Sequence, residues 1–151
     1  MLTRIAIALP AVLAVGLLAC SPGESVDDET AQIPDALLGY RLVVTIESSE
    51  TPALLTPGSE IVYQFVDDNR VLGSGPDTVL PTKAWTFTRT GSSSGSLLLD
   101  YGQAGTESYD LRADSQLRGA CDMHVHQTVV GADDRDLYAD CSFVLSEGVD
   151  E

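Results

Sequence analysis

Apolar and polar residues alternate along most of the chain after residue 38, and a period of two is typical of strands that bury one face. The segment 40–46 shows this most clearly, because one of its faces carries only large apolar side chains, Tyr40, Leu42, Val44 and Ile46. The segment 60–67 repeats the pattern, with a shared face made of Ile61, Tyr63 and Phe65. The same pattern predicts further strands over 70–73, 84–90, 96–101, 108–112, 121–127 and 138–144.

Short polar stretches separate these segments, which favours hairpin connections between neighbouring strands. Asp68 and Asn69 predict a tight turn, because both residue types tolerate the positive φ that such turns demand. No segment after residue 20 has a helical period. About eight short strands with one apolar face each predict an all-β fold, a small antiparallel meander barrel or sandwich. We expect the segment 37–146 to form this domain around a single core.

Residues 1–19 differ from the rest of the chain, because they combine one basic residue with an apolar run. Arg4 precedes an uncharged run over 5–18, and Pro10 lies inside it. A membrane-spanning helix needs roughly 20 apolar residues, and a proline in its interior disrupts it. The pattern predicts a cleaved signal peptide over 1–19 that takes no part in the fold.

The end of this leader, Leu17-Leu18-Ala19-Cys20, resembles the lipobox of bacterial lipoproteins. The resemblance implies that the Cys20 thiol receives a diacylglycerol, that the chain is cut before it, and that fatty acyl chains such as palmitate anchor it to a membrane. Two or more acyl chains hold a protein firmly on a bilayer. Ser21 follows the cysteine, where enterobacterial lipoproteins kept at the inner membrane carry Asp. The resemblance therefore implies a lipid-anchored protein of the cell envelope, at the outer membrane in a Gram-negative cell. The alternative is an ordinary signal peptide with an unrelated cysteine.

The cysteine count agrees with a lipidated Cys20. The chain has three cysteines, and an odd number leaves one unpaired in an exported protein. If Cys20 carries lipid, Cys121 and Cys141 remain as a disulfide pair in an oxidising compartment.

Two polar segments flank the domain, and the whole chain is strongly acidic. Residues 20–36 form an acidic stretch without apolar periodicity, which predicts a disordered linker after the lipidated cysteine. Residues 147–151 predict an acidic tail. The formal net charge of −15 opposes binding to phosphate backbones, so we expect no nucleic-acid partner. The charge favours either a cation-binding surface or simple solubility in a salty environment.

The middle of the chain resembles a family of small β domains common in exported bacterial proteins. The matching features are Trp-Thr-Phe-Thr-Arg-Thr-Gly over 85–91, a turn of small residues over 92–95, and Leu-rich and Tyr-Leu strands over 97–101 and 109–111. Phe87 stands where the family usually has Tyr. The resemblance covers about residues 38–119, implies a lipocalin-like meander, and implies no activity.

Two motifs with catalytic or calcium-binding parallels are better explained as turns. The Gly-x-Ser-x-Gly pattern of hydrolase nucleophiles occurs at 91–95, but that motif requires a turn from a strand into a helix. Strands are predicted on both sides here, so the segment is interpreted as a hairpin loop. Residues 67–69 lack the Gly and the distal Glu of a calcium loop. We expect no enzyme.

The remaining candidate site is a patch formed by Asp122, His124 and His126, which alternate along one predicted strand and share a face. If Cys121 faces Cys141 across an antiparallel pair, Tyr138 lies opposite His124, Asp136 opposite His126, and Asp140 opposite Asp122. Imidazoles and carboxylates on one patch suit Zn²⁺ or Cu²⁺, which makes His124, His126, Asp136 and Asp140 candidate ligands. The alternative is a solvated outer face. Without a shaped cleft, any binding would be surface capture of metal.

Three function classes remain open. The leading one is a non-enzymatic envelope lipoprotein that binds an unknown partner or supports the envelope. The second is a lipocalin-like carrier of a small apolar ligand, which requires that the barrel enclose a cavity. The third is the surface metal-capturing patch at Asp122, His124 and His126.

Overall fold

The computed structural model describes residues 30–68, 70–75 and 84–148. Eight strands account for most of the described residues, and a single turn of 3₁₀ helix, Gly102–Ala104, is the one helical element among them. The all-β prediction is confirmed. The strands are β1 Tyr40–Ser49, β2 Glu60–Asp67, β3 Arg70–Ser74, β4 Ala84–Arg89, β5 Ser94–Asp100, β6 Gly105–Ser115, β7 Arg118–Gln127 and β8 Arg135–Glu147.

The strands form one antiparallel sheet that curls into a nearly closed barrel. The order across the sheet is β3-β2-β1-β8-β7-β6-β5-β4, so the first and last strands of the chain pair and the seam lies between β3 and β4. Trp85 of β4 helps to bridge that seam. Its indole nitrogen donates a hydrogen bond to the Asp67 carbonyl oxygen at 2.8 Å, and its ring lies 4.8 Å from that of Phe65. The barrel prediction is confirmed.

Alternation along the strands places the predicted apolar faces inside the barrel. Leu42, Val44 and Ile46 of β1 are buried, as are Tyr63 and Phe65 of β2. Further core side chains come from β3 and β5 to β8: Val71, Leu97, Leu99, Tyr109, Leu111, Cys121, Met123, Ala139, Cys141, Phe143 and Leu145. The predicted period of two therefore identifies the core-facing residues correctly.

The described residues before β1 cover one end of the barrel. Ile33 and Leu37 are buried in the core, and the Ile33 amide donates to the Ser92 carbonyl at 3.1 Å. Asp35 forms an ion pair with Arg89. We call this the closed end; it consists of residues 30–39, the last residue of β2, the first residue of β3, and the turns 90–94 and 115–118. Composition placed 30–36 in a linker, but these residues pack against the domain because two apolar side chains among polar ones suffice to bury the segment.

The predicted register between β7 and β8 is confirmed. Cys121 pairs with Cys141, Asp122 with Asp140, His124 with Tyr138 and His126 with Asp136. The two cysteines are buried free thiols with sulfur atoms 2.7 Å apart. A disulfide of about 2.05 Å would need only a short movement of the sulfurs.

The hydrogen bond with the Cys141 thiol is the largest cause that raises the pKa of the Cys121 thiol, and burial is the second. The raised pKa favours the thiol form of Cys121 over the thiolate. The disulfide itself remains a prediction.

Several sequence predictions fall outside the described residues. These are the signal peptide 1–19, Cys20, the linker up to residue 29, the second residue of the Asp68-Asn69 turn, and residues 149–151 of the tail. The first tail residue, Glu147, continues β8, and the Gly148 amide donates to the Gly39 carbonyl at 2.6 Å. In the part of the chain that is described, no helix has the length and apolar character needed to cross a membrane.

Candidate functional site: an apolar cavity with a buried carboxylate

The end of the barrel opposite residues 30–39 contains a cavity of about 340 Å³. We call this the open end; it is framed by the loops 50–59, 101–105 and 128–134. Apolar side chains from four strands and the first loop line most of the cavity: Ile46, Leu55, Ile61, Met123, Val125 and Leu137. The barrel therefore holds a core at one end and a cavity at the other.

One acidic side chain, Glu107 of β6, lies at this cavity and inside the barrel. It is 7 % exposed and is the only buried charged residue among those described. Tyr63 donates a hydrogen bond to its Oε1 at 2.7 Å, and Tyr109 donates to the same oxygen. Tyr101 donates to Oε2 at 2.6 Å. Three phenol hydroxyls from β2, β6 and the β5–β6 loop thus converge on one carboxylate.

The three tyrosines remain protonated donors. Burial raises the pKa of Tyr63 and of Tyr109 well above the ordinary phenol value, and the charge of Glu107 is the second-largest cause of this increase. The same two causes raise the pKa of Tyr101. An ionised carboxylate only accepts hydrogen bonds, and all three phenol hydroxyls lie where they can donate to Glu107.

Sequence reasoning missed Glu107. The predicted strand 108–112 began one residue later, since an acidic residue does not fit an apolar face. The signal was present, however: Glu107, Tyr109 and Leu111 alternate, and β6 continues back to Gly105 with the same inward face. An acidic residue at an inward strand position is the feature that would have indicated the site.

The predicted histidine patch is assembled on the outer face of β7 and β8. Asp136 Oδ1 lies 2.9 Å from His124 Nε2 and 3.0 Å from His126 Nδ1. Hydrogen bonds from His124 and then from His126 lower the pKa of Asp136. The His124 ring stacks on Tyr138 with a centroid distance of 4.6 Å. The structure therefore brings together three of the four predicted ligands.

The fourth predicted ligand, Asp140, has a different partner. Its carboxylate accepts a hydrogen bond from Ser48 of β1 at 2.7 Å, and the neighbouring Asp122 is paired with Arg112 at 2.7 Å. Within the described ranges, no group of three or more His, Cys, Asp or Glu side chains is arranged to hold a metal ion. Binding of Zn²⁺ or Cu²⁺ at His124 and His126 remains a prediction, and a metal there would have to displace the hydrogen bonds to Asp136.

The Gly-x-Ser-x-Gly segment lies in the connection between β4 and β5, with a strand on each side. The Thr90 and Gly91 amides donate to the Ser94 carbonyl at 2.9 and 3.1 Å, which closes a hairpin. A Cβ at Gly95 would lie 2.5 Å from the Phe87 ring, so the second glycine allows close packing of that side chain. The interpretation of this segment as a hairpin loop is confirmed.

No family model, curated protein or solved structure matches this chain. The functional argument therefore depends on the cavity and its chemistry.

Proposed function

We propose that this chain is a membrane-anchored envelope lipoprotein whose barrel binds a small apolar ligand at its open end. The observation that carries the proposal is the cavity of about 340 Å³ lined mainly by aliphatic side chains. Ligand sites in proteins are typically about 300–1,000 Å³, apolar, and equipped with a few convergent polar groups. The proposal is the carrier form of the non-enzymatic role expected from the sequence.

The size of the cavity limits the ligand. At the lower end of the usual range, it suits a small molecule of one to three rings or an alkyl chain of similar volume. Eight strands form a barrel whose interior is about wide enough for side chains or one small ligand. Here the side chains fill the closed end, which leaves room for a ligand only at the open end.

The position of the N-terminal segment supports a tethered receptor. Residues 30–39 enter the barrel at the closed end, as shown by the buried Ile33 and Leu37. A lipid on Cys20 would therefore connect to the pole opposite the cavity. With that arrangement, the anchor leaves the open end accessible to ligand.

Ligand binding is tested with N-phenyl-naphthylamine, an uncharged dye that fluoresces in apolar sites. The protein is the mature chain from residue 20 with Cys20→Ser, exported behind a non-lipoprotein signal peptide so that it stays in solution. We expect saturable binding that Val125→Trp weakens by about tenfold or more, because an indole would occupy the cavity. The matched control is Val144→Trp, which adds the same side chain at an exposed position.

Each result of the dye-binding experiment has a different interpretation. Saturable binding that both variants leave unchanged would place the dye elsewhere, and the absence of saturable binding would refute the carrier function. Circular dichroism and thermal melts of both variants establish that the barrel is intact.

The anchor is tested independently by intact mass and by cell fractionation. We expect the mature chain to begin at Cys20, to carry diacylglycerol and an N-acyl chain, and to fractionate with the outer membrane of a Gram-negative host. Cys20→Ser should release the protein from the membrane fraction. An unmodified Cys20 in the wild-type protein would contradict the anchor and leave the cavity argument intact.

A further inference from the structure

Glu107 places a carboxylate at a cavity whose lining is mainly apolar. A buried charge is costly unless it is paired or hydrogen-bonded. The hydroxyls of Tyr63, Tyr101 and Tyr109 solvate the carboxylate, but all three are neutral. Among the described residues, the hydrogen-bond partners of this carboxylate are therefore neutral donors.

The described cations do not neutralise this charge. Each ion pair between described residues joins groups other than Glu107, and the described arginines that form them pair with Asp35, Asp67 and Asp122. His126 also lines the cavity, but its ring faces Asp136 and Asp134 on the outer side. With a formal net charge of −15, the chain as a whole also attracts cations.

The carboxylate retains capacity for one more hydrogen bond. An ionised carboxylate offers about four lone-pair sites, two on each oxygen. Oε1 accepts from Tyr63 and Tyr109, whereas Oε2 accepts from Tyr101 alone. One acceptor site therefore remains on Oε2, the oxygen bonded to the half-buried Tyr101 that also lines the cavity.

From these observations we infer that the natural ligand is a small apolar amine, whose protonated nitrogen binds Oε2 of Glu107 while its hydrocarbon body fills the cavity. This inference rests on the proposed carrier function and specifies its ligand class. An ammonium group supplies both the missing charge and the missing donor. A neutral hydroxyl supplies only the donor, and a carboxylate would be repelled by Glu107.

The test compares three compounds that share one hydrocarbon body and differ in head group: phenylbutylamine, phenylbutanol and phenylbutanoate. Each is titrated into the mature Cys20→Ser chain by calorimetry at neutral pH, where the amine is protonated. We expect the amine to bind about tenfold or more tightly than the alcohol, because the ammonium adds a charge–charge attraction to the hydrogen bond that the hydroxyl can also donate. The carboxylate should bind most weakly.

Glu107→Gln removes the charge with little change in shape and should reduce amine affinity to that of the alcohol. The matched control is Glu60→Gln, which changes the net charge equally at an exposed position of β2. Tyr101→Phe frees a second acceptor site on Oε2 and leaves the charge, so amine binding should persist.

If Glu107→Gln does not fold, carbon NMR of the wild-type protein gives the answer instead. The carboxyl resonance of Glu107 should then shift with amine and with neither of the other two compounds.

Equal affinity for the amine and the alcohol, or an unmoved Glu107 resonance at saturating amine, would overturn the inference. In that case the carrier function would still stand if the alcohol and the naphthylamine dye bind in the cavity. If none of these compounds binds, the carrier function fails together with the inference.

Discussion

Replacing Tyr109 by phenylalanine removes one hydroxyl from the buried network and leaves the ring in place. The Tyr109 side chain is fully buried, and its hydroxyl contacts both Glu107 Oε1 and the Tyr63 hydroxyl, the latter at 2.9 Å. Tyr63 and Tyr109 together have two hydroxyl protons for three close oxygen–oxygen contacts. After the substitution, Tyr63 keeps its own proton and its own bond to Glu107. The net loss is therefore one hydrogen bond to a charged acceptor.

That loss has a predictable magnitude. Hydrogen bonds to charged groups contribute about 1.5–3 kcal/mol, whereas neutral ones contribute about 0.5–1.5 kcal/mol. We expect Tyr109→Phe to lower the free energy of unfolding by about 1.5–3 kcal/mol. Tyr138→Phe is the control: its side chain is exposed, and exposed substitutions usually stay within about 0.5 kcal/mol.

Urea denaturation followed by circular dichroism measures both variants, with the midpoint interpreted at constant m. The charge dependence is checked in a Glu107→Gln background, where the same substitution should cost less because the acceptor is neutral. If Tyr109→Phe costs no more than Tyr138→Phe, or costs as much beside Gln as beside Glu, the network does not stabilise a buried carboxylate and the reasoning is refuted.

The remaining predictions concern β7 and β8. Thiol titration of unfolded, periplasm-derived protein should find Cys121 and Cys141 oxidised, and reduction should cost on the order of 3 kcal/mol of stability; two free thiols would contradict this. NMR titration should give Asp136 a pKa below the ordinary value of about 3.9, rising again in His124→Ala. This lowering adds stability above the unfolded pKa that is lost as the pH falls through the folded pKa. Calorimetry with Zn²⁺ or Cu²⁺ should show binding that weakens as the pH falls, because protons compete with the metal for imidazole, and His124→Ala or His126→Ala should remove most of the affinity. Affinity no tighter than millimolar would mean that the patch is a hydrogen-bonded surface and not a metal site.

The strands were predictable because their pattern is local. A period of two gave β2 as 60–67, the bounds that the structure has, and it gave the inward faces of β1 and β2. The register of β7 and β8 followed from pairing Cys121 with Cys141, because antiparallel partners have residue numbers of constant sum. The strand pattern depends only on neighbouring residues, and the register depends on a single long-range assumption, the pairing of the two cysteines.

The buried network could not be found in this way because its members are far apart in sequence. Tyr63 lies 44 residues before Glu107, and only the closure of the barrel brings β2 toward β6. The hydrogen-bond partner of Asp140 was not predictable for a related reason. The prediction considered β7 as its neighbour, whereas β1 pairs with the other edge of β8 and supplies the Ser48 hydroxyl that binds this carboxylate.

The two ends of the barrel differ in what their interiors hold. Toward the closed end the interior contains the aromatic rings of Phe65 and Phe143, and Ile33 and Leu37 belong to the same buried core. Toward the open end, aliphatic side chains such as Ile46, Val125 and Leu137 line the cavity together with Tyr63 and Tyr101, and the described loop 50–59 contributes to its wall. A sequence selected only for stability would fill that space, since each cavity in a core costs dispersion and transfer energy. Instead, the space is bordered by the one buried charge of the described chain, whose acceptor capacity three tyrosines leave incomplete. The unfilled volume and the remaining acceptor site on Glu107 Oε2 occur at the same place, and a bound apolar cation would occupy both.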